Sequence, residues 1–427
     1  PYTVYPTLRL SGASTFLYLA IKNYQYNISD LIEHQTITLT WCYLKIRWLA
    51  CDFQRLFSLL EIPHIRVCKK RERVLRGWEA IMANGYELIK AQAETHALGE
   101  EVPVTGWFHF PLADPVTEHF LAETYARTEE NHWDFVKIMT NGNYLPLAYG
   151  ADYDWSVDPT SWDGPFFTNP IASPEDAANL PVLDARKGIL AREVRIARAI
   201  KERYDGEKPV IATLFDPLSW VQELTTPMRP DGVLELLKNN PDELEAALVA
   251  IAGTNRNFLE RLITEAQVDG IFFASKFTRN GILTDEQYER FVRPYIQQTN
   301  DQLSGRTWFN LLHIHGDEQL QFDDLLQFDS FNALNWESEA PVPGAHSIAE
   351  VRKKTDKILV AGIDQHHDFL LSRREVKAKI AQRFESALKQ NDGGPFIFGP
   401  GCSMPLYVEL SRFNNIYGAA HEAGWRA

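Results

Sequence analysis

Two histidines end one apolar segment of the chain, and their spacing suggests a metal site. The segment reads WFNLLHIHGDE from Trp308 to Glu318, with His313 and His315 near its polar end. In an extended strand, residues two apart point to the same face, so both imidazoles project to one side. Imidazole nitrogens are common zinc ligands, so the pair would supply two of the ligands that such a metal needs.

Eight short apolar segments alternate with helical patterns along the chain, which is typical of parallel βα units. Eight such units predict an α/β fold, a closed (β/α)8 TIM barrel. The predicted strands cover residues 102–110, 135–139, 209–215, 270–275, 307–315, 331–337, 357–363 and 395–401. Residues 140–208, after the second strand, are predicted to be an insertion, and the loop at 150–176 is a candidate lid.

Two further residues of metal-ligand type follow later strands. Glu337 ends the sixth strand in FNALNWES, and Cys402 follows the eighth in FGPGCSMP. Active sites of such barrels lie at the C-terminal ends of the strands, so we expect Glu337 and Cys402 near the histidines. Two imidazoles, a thiolate and a carboxylate suit Zn(II). We therefore predict that His313, His315, Glu337 and Cys402 bind zinc, and that Glu337 and Cys402 are catalytic.

Each of these residues has an ordinary structural alternative. A strand histidine could be packed and hydrogen-bonded in the core, and Cys402 could be a buried thiol that packs as a small apolar residue. Glu337 could accept a hydrogen bond from an imidazole and fix its tautomer without binding the metal.

Further residues near other strand ends are candidates for substrate binding. They are His109, Lys137, Asn141, Asp216 and Asp364. Core or rim packing is the alternative for His109, an ion pair with Asp134 for Lys137, and a turn for Asp216. For Asp364, in the segment GIDQHHDF, the alternative is a solvated loop.

Composition narrows the classes of partner. The 427 residues carry a formal net charge of −14, which argues against nucleic acid or an anionic membrane as the main partner. Four cysteines in a chain of this length do not form a disulfide scaffold.

We find no apolar run that could span a bilayer and no signal-peptide pattern, so we expect a cytoplasmic protein. Residues 1–68, aromatic and basic without a clear period, are predicted to be an N-terminal extension of a barrel at 69–427.

An ordered series of motifs resembles the uroporphyrinogen decarboxylase superfamily. The series includes RERVL, VPVTGWFHFP, DFVKIMTNGNY, ATLFDPLSW, LHIHGD, ALNWE, LVAGIDQ and FGPGCSMP. Within the superfamily, the chain is most similar to zinc-dependent methyltransferases such as the methylcobamide:coenzyme M methyltransferases. The resemblance implies that His313, Glu337 and Cys402 bind zinc, and that His315 stands where those enzymes usually have cysteine. A neutral ligand in place of a thiolate would make the metal a stronger Lewis acid.

The resemblance also implies a function. It is the transfer of a methyl group from a corrinoid (methylcobamide) or similar donor to a small thiol, with Zn(II) as cofactor, a corrinoid protein as partner and a homodimer as the assembly. Decarboxylation of uroporphyrinogen in porphyrin biosynthesis is the alternative, although the Arg-rich N-terminal segment of those decarboxylases is not found. A barrel that binds ligands without catalysis is a third interpretation. Amidohydrolase chemistry is disfavoured because the His-x-His pair of barrel amidohydrolases ends the first strand, whereas the pair in this chain ends the fifth predicted strand.

Overall fold

The computed structural model describes residues 84–140, 144–153, 166–225, 230–278, 281–316 and 319–425. All of them belong to one compact unit, Ala80–Ala427. The predicted N-terminal extension lies outside the described residues. Within the described ranges, no helix has the length and apolar character needed to cross a membrane.

Parallel strands form the central sheet of this unit. The strands of the described residues are β1 (Val136–Lys137), β2 (Asp152–Tyr153), β3 (Phe166–Thr168), β4 (Val210–Phe215), β5 (Gly270–Ser275), β6 (Leu311–Ile314), β7 (Ala333–Asn335), β8 (Ile358–Ile363) and β9 (Phe396–Pro400). Seven of them make one sheet in the order β1-β4-β5-β6-β7-β8-β9, and every neighbouring pair is parallel. These seven strands confirm seven of the eight predicted segments. The remaining two, β2 and β3, form a separate antiparallel hairpin.

Helices separate the strands along the chain, as the βα pattern predicts. They span Gly85–Thr95, Thr117–Glu130, Tyr144–Ala148, Pro174–Ala178, Gly188–Tyr204, Pro217–Leu224, Pro230–Asn239, Pro241–Thr264, Asp285–Phe291, Arg293–Leu303, Phe322–Leu326, Ile348–Arg352, Arg373–Asn391 and Asn415–Glu422, with 3₁₀ turns at Asp368–Leu370 and Leu410–Asn414. Several begin with a side-chain cap that satisfies free backbone N–H groups. Ser372 and Glu375, for example, form a reciprocal capping box at the start of Arg373–Asn391.

Alternate residues of the strands pack into two different cores. Leu311 of β6 lies in a buried cluster to which almost every strand of the sheet contributes, whereas Leu312 lies in a larger cluster shared with the helices. Phe135 and Met139, on either side of β1, belong to the first cluster. Because side chains alternate between the two faces of a strand, Lys137 and His313 point toward this strand-lined interior.

The first predicted strand is irregular. Instead of a strand over 102–110, Val104 forms a single parallel bridge to Phe398 of β9. On the other side, the Val104 carbonyl accepts a hydrogen bond from the Asp134 N–H (2.8 Å), and the Asp134 carboxylate accepts one from the Val104 N–H (2.7 Å). The prediction of a regular strand here is wrong, because the Asp134 carboxylate takes a bond that a strand ladder would otherwise make.

The connection from β1 to β4 contains ordered elements. They include the β2–β3 hairpin and the helix Gly188–Tyr204, which runs back along the sheet before β4. The Tyr144 hydroxyl in this connection donates to the Thr213 carbonyl of β4 (3.1 Å). Residues 154–165 of the candidate lid lie outside the described residues, and a lid at 150–176 stays a prediction.

Candidate metal centre

The side chains of His313, His315 and Cys402 converge on one point. His313 Nε2 lies 3.3 Å from His315 Nδ1. Cys402 Sγ lies 3.7 Å from His313 Nε2 and 3.8 Å from His315 Nδ1. Within the described residues, this is the one set of three or more His, Cys, Asp or Glu side chains whose ligand atoms are close enough to hold an ion. The three residues were predicted together from their positions at the ends of two strands.

Strand geometry brings the two histidines into position. β6 pairs with β5 on one side and β7 on the other, and the His315 N–H donates to the Ser275 carbonyl at the end of β5 (2.9 Å). This bond continues the sheet register past β6, so the His315 side chain lies on the same face of the sheet as the His313 side chain. The His313 ring also stacks on Phe272 of β5, with ring centroids 5.0 Å apart. The sheet therefore fixes the backbone of both histidines, and Phe272 packs against the His313 ring.

A glycine brings the cysteine into position. A Cβ atom at Gly401 would lie 2.6 Å from Glu337 Cα and 2.8 Å from the Trp336 carbonyl oxygen. Real Cβ atoms do not approach backbone this closely, so only glycine lets the turn after β9 lie against the end of β7. Cys402 is the next residue, and this close approach carries its thiol to the histidines.

We expect Gly401→Ala to weaken zinc binding by more than tenfold and to lower the free energy of unfolding by about 1–3 kcal/mol, because backbone must shift to admit the methyl group. Zinc competition with a chromophoric chelator and urea unfolding measure the two effects. Gly99→Ala is the control, since nothing lies within 4 Å of the added Cβ there. Unchanged zinc affinity in Gly401→Ala would contradict this account of the turn.

An asparagine that we did not predict sets the tautomer of His313. The Asn335 side-chain N–H groups donate to the carbonyls of Val360 (2.7 Å) and Pro400 (2.9 Å), so its Oδ1 is the atom that faces His313. Oδ1 lies 2.6 Å from His313 Nδ1 and can only accept. His313 therefore carries its proton on Nδ1, and its Nε2 lone pair points at His315 and Cys402. The sequence signal was available, because Asn335 lies two residues before Glu337 in β7.

Burial controls the protonation of two of the three side chains. The pKa of His313 is held well below its usual range by burial first and then by the charges of His315 and Lys137, so this imidazole is neutral. Burial, and then the charge of Glu337, raises the pKa of the Cys402 thiol to about 11. Without a cation the thiol keeps its proton at neutral pH. A bound metal ion would supply the charge that removes it.

These protonation states predict how zinc affinity depends on pH. Because Cys402 is protonated below about pH 11 and must lose that proton to bind, zinc affinity should rise about tenfold per pH unit between pH 7 and 9. His313 adds nothing to this slope, because it is already neutral there. Competition titrations at several pH values measure the slope. A flat profile would mean that the thiol is not a ligand.

Glu337 lies beside this triad but its carboxylate has another partner. Its Oε2 lies 3.1 Å from Nε2 of His366, and the carboxylate is not among the converging ligand atoms. Burial would raise the pKa of Glu337, but the hydrogen bond and charge of His366 outweigh it and lower the pKa. Zinc ligation and catalysis by Glu337 stay predictions. No local sequence pattern indicates the bond to His366, which belongs to the segment GIDQHHDF.

One of the predicted substrate-binding residues, Lys137, lies close to the triad, and a second, His109, lies near Lys137. Burial, and then the charge of Lys137, lowers the pKa of His109 to about 3. The Lys137 ammonium lies over the ring of Phe272, the same ring on which His313 stacks, at 4.2 Å from its centroid. Lys137 therefore belongs to the interior that the triad faces, and substrate binding by Lys137 and His109 stays a prediction.

The structure describes two of the other three substrate-binding candidates, Asp216 and Asp364. Asp216 is the N-cap of Pro217–Leu224, where its carboxylate accepts hydrogen bonds from the Ser219 N–H (3.0 Å) and hydroxyl. Asp364 accepts from the N–H groups of His366 (3.0 Å) and His367 (3.2 Å) and so holds the turn after β8. Both carboxylates have structural tasks. Asn141 lies outside the described residues.

Comparison with known proteins identifies the family. The model of the uroporphyrinogen decarboxylase (URO-D) family matches residues 132–423, so the chain belongs to this family. No curated protein matches the chain. A solved structure, a methyltransferase from Methanosarcina mazei, is similar to 80% of this chain and 99% of its own, with a TM-score of 0.65 and 17% sequence identity. A B12-independent methionine synthase from Shewanella sp. W3-18-1 matches 76% of this chain and 97% of its own, with a TM-score of 0.44 and 14% identity.

These comparisons confirm the family recognised from the motifs and the general fold. The M. mazei methyltransferase is similar in fold over nearly its whole length, and at 17% identity the similarity carries no more than the fold. The chemistry of this chain has to be argued from its own residues.

Proposed function

We propose that the protein is a zinc-dependent methyltransferase that moves a methyl group from a corrinoid or similar donor to a thiol. The observation that carries the proposal is the convergence of His313 Nε2, His315 Nδ1 and Cys402 Sγ. A group of two imidazoles and one thiol is a donor set that zinc prefers, and three protein ligands are typical of catalytic zinc because a fourth position stays open.

The distances between the ligand atoms fit a zinc ion. Tetrahedral zinc with Zn–N bonds of about 2.0–2.1 Å and Zn–S bonds of about 2.3 Å places nitrogens about 3.3 Å apart and nitrogen and sulfur about 3.6 Å apart. The corresponding separations here are 3.3 Å between the nitrogens and 3.7 and 3.8 Å to the sulfur. The tautomer of His313 also fits, since its free lone pair is on the nitrogen that faces the group.

Zinc bound by His313, His315 and Cys402 would lower the pKa of a thiol substrate, so that a thiolate nucleophile is available at neutral pH. The protein contributes a fixed and dry setting. Asn335 holds the orientation of His313, and Phe272 covers one face of its ring. Because His313 and Asn335 are buried, water is kept from this side of the reacting atoms.

Glu337 and His366 provide a path for the proton that the thiol loses. The Glu337 carboxylate is buried beside the triad, and the side chain of His366 is 61% exposed. We propose that the Glu337 carboxylate accepts the thiol proton and passes it to His366 Nε2, and that the resulting imidazolium releases a proton to solvent. A role of Glu337 as a fourth zinc ligand in the resting enzyme is the alternative for the same residue.

The proposal also includes the closure of the barrel, the methyl donor, the assembly and the cellular location. The backbone hydrogen bonds on both sides of Val104 support a closed eight-stranded barrel, with the segment 102–105 as the eighth position. A corrinoid protein as methyl donor, a homodimer and a cytoplasmic location are further parts of it. Decarboxylation of uroporphyrinogen and a non-catalytic barrel are the alternatives that the test below has to separate.

Methyl transfer can be tested with a free corrinoid. The zinc-loaded protein is incubated with methylcobalamin and a small thiol, and the thioether product is measured by mass spectrometry. We expect thioether formation that requires both zinc and Cys402. Metal-independent loss of carboxyl groups from uroporphyrinogen, without thioether formation, would support the decarboxylase instead. If neither reaction is observed, the result would support a non-catalytic binding barrel.

A further inference from the structure

Three charged side chains with an excess of negative charge are buried together near the start of the helix Gly188–Tyr204. The Arg192 guanidinium lies 3.0 Å from Glu193 Oε1 and 3.6 Å from Asp114 Oδ1. The side chains of Asp114 and Glu193 are 1% and 4% exposed. Two carboxyl groups therefore share one cation away from water, and the proposed methyl transfer uses none of the three residues.

This cluster joins two elements that are distant in sequence. Asp114 belongs to residues 110–117, the rim loop, which precedes the helix Thr117–Glu130, whereas Arg192 belongs to the helix Gly188–Tyr204. The Arg192 guanidinium also donates to the backbone carbonyl of Asp114 and to Thr117 Oγ1 (3.1 Å). Arg192 thus holds the rim loop through its backbone and two of its side chains.

The rim loop lies at the end of the sheet where the triad lies. The segment that leads into the loop runs beside the turn after β9, since the Trp107 carbonyl accepts a hydrogen bond from the Met404 N–H (2.9 Å). Met404 is two residues after Cys402 in that turn. A change in the position of the rim loop would therefore alter the border of the metal centre.

The charges of the cluster do not balance when both carboxyl groups are ionised. Like charges that share a buried site favour retention of a proton by one of them. Burial, and then the charge of Asp114, raises the pKa of Glu193 to about 8, although Arg192 and a hydrogen bond from Thr140 lower it. The pKa of Tyr144 lies well above its usual range because of burial and then the Glu193 charge, so its phenol stays neutral. Glu193 therefore holds the proton at neutral pH.

We infer that Asp114, Arg192 and Glu193 form a proton-dependent latch that holds the rim loop against the helix Gly188–Tyr204. With one proton on the carboxyl pair, the cluster is neutral and the loop is held. When the proton passes to solvent, the cluster has a buried net negative charge. Release of the loop then brings both carboxylates into water, which removes the cost of burying that charge. The latch is independent of the reaction that the triad performs.

The pH dependence of the latch follows from the two protonation states. In the released loop Glu193 is exposed to water and has the ordinary pKa of about 4.3, whereas in the held loop its pKa is about 8. The held state binds the proton more tightly, so its advantage falls as the pH rises. The equilibrium constant for release should increase about tenfold per pH unit between pH 5 and 7.5 and level off above about pH 8.

Hydrogen exchange of the whole chain, measured by mass spectrometry, tests the inference. Rates are converted to protection factors, which removes the intrinsic pH dependence of exchange. In the rim loop, the Asp114 N–H donates to the Phe110 carbonyl (2.8 Å) and the Val116 N–H to the Ala113 carbonyl (3.1 Å). We expect their protection to fall about tenfold per pH unit between pH 5 and 7.5. Peptides from β8 should keep their protection.

Three variants show whether the cluster is responsible. Glu193→Gln keeps the shape of the side chain but cannot ionise, so protection of the rim loop should not depend on pH. Asp114→Asn removes the second carboxyl group and should reduce the slope. Glu202→Gln is the matched control, since Glu202 lies on the same helix with a side chain that is 65% exposed, and its slope should equal that of the unchanged protein.

Three results would overturn the inference. The first is protection of the rim loop that stays constant from pH 5 to 8 in the unchanged protein. The second is a slope that survives in Glu193→Gln. The third is an equal loss of protection in β8, which would mean that the whole unit unfolds rather than that the loop is released.

Discussion

Replacing Cys402 by serine should remove zinc from the centre and reduce methyl transfer to the background rate. The serine hydroxyl is nearly isosteric with the thiol but does not ionise at neutral pH, so the centre loses its only anionic ligand among the three converging side chains. We expect zinc affinity to fall by more than about 100-fold, which is the upper effect of losing a partner that only supports a ligand. Competition with a chromophoric chelator measures the affinity, and thioether formation measures the activity.

Ser403→Ala is the matched control for this variant. It changes the neighbouring side chain but keeps the backbone N–H that hydrogen-bonds the Cys402 sulfur. Its zinc affinity should equal that of the unchanged protein. Three other cysteines, Cys42, Cys51 and Cys68, lie outside the described residues. If Cys402→Ser kept its zinc, the metal would be bound elsewhere and the site proposed here would be wrong.

Replacing Asn335 by leucine should damage both the zinc site and the fold. Asn335 is completely buried and bonds His313, Val360 and Pro400, so leucine removes the acceptor of one imidazole N–H and a hydrogen-bond donor from each of two carbonyls. Each unsatisfied buried group costs about 1–3 kcal/mol, and loss of a partner that orients a metal ligand weakens metal binding by about 10- to 100-fold. We expect a large fall in the free energy of unfolding, measured with urea, and a fall in zinc affinity within that range.

A second asparagine in the same region separates the two effects. The amide of Asn332 bridges the Trp308 carbonyl (2.7 Å) and the Asn310 N–H (3.0 Å) just before β7, at the end of the sheet opposite the triad. Asn332→Leu should therefore lower stability without changing zinc affinity. If both variants lost zinc equally, the effect of Asn335 would be one of global stability, and our account of the His313 tautomer would fail.

The sequence predicts the convergence of His313, His315 and Cys402 because three local rules are enough. Strand alternation places His313 and His315 on one face, the carboxyl ends of parallel strands share one end of the sheet, and a glycine turn delivers Cys402. None of these rules depends on the conformation of a distant side chain. The positions of the seven strands of the sheet were predicted to within a few residues for the same reason, since buried parallel strands are short apolar segments between turns and helices.

Other features depend on side chains from distant parts of the chain. Pairing of Glu337 with His366 requires the turn after β8 to fold over the end of β7, which no local pattern shows. The irregular first segment depends on one carboxylate, Asp134, that replaces a strand bond to Val104. Likewise, Lys137 and Asp134 do not form the ion pair that their spacing suggests, because the Asp134 carboxylate bonds the Val104 N–H. Such features follow from tertiary packing, which local sequence patterns do not encode.

The most direct test of the central claim is the zinc content of the protein. Elemental analysis of protein purified without added metal should find about one zinc per chain, as expected for a single three-ligand site. His313→Ala should contain almost none, whereas His119→Ala, which removes an exposed histidine, should keep it. Absence of zinc from the unchanged protein, even after zinc is supplied, or full retention of zinc in His313→Ala, would contradict the account.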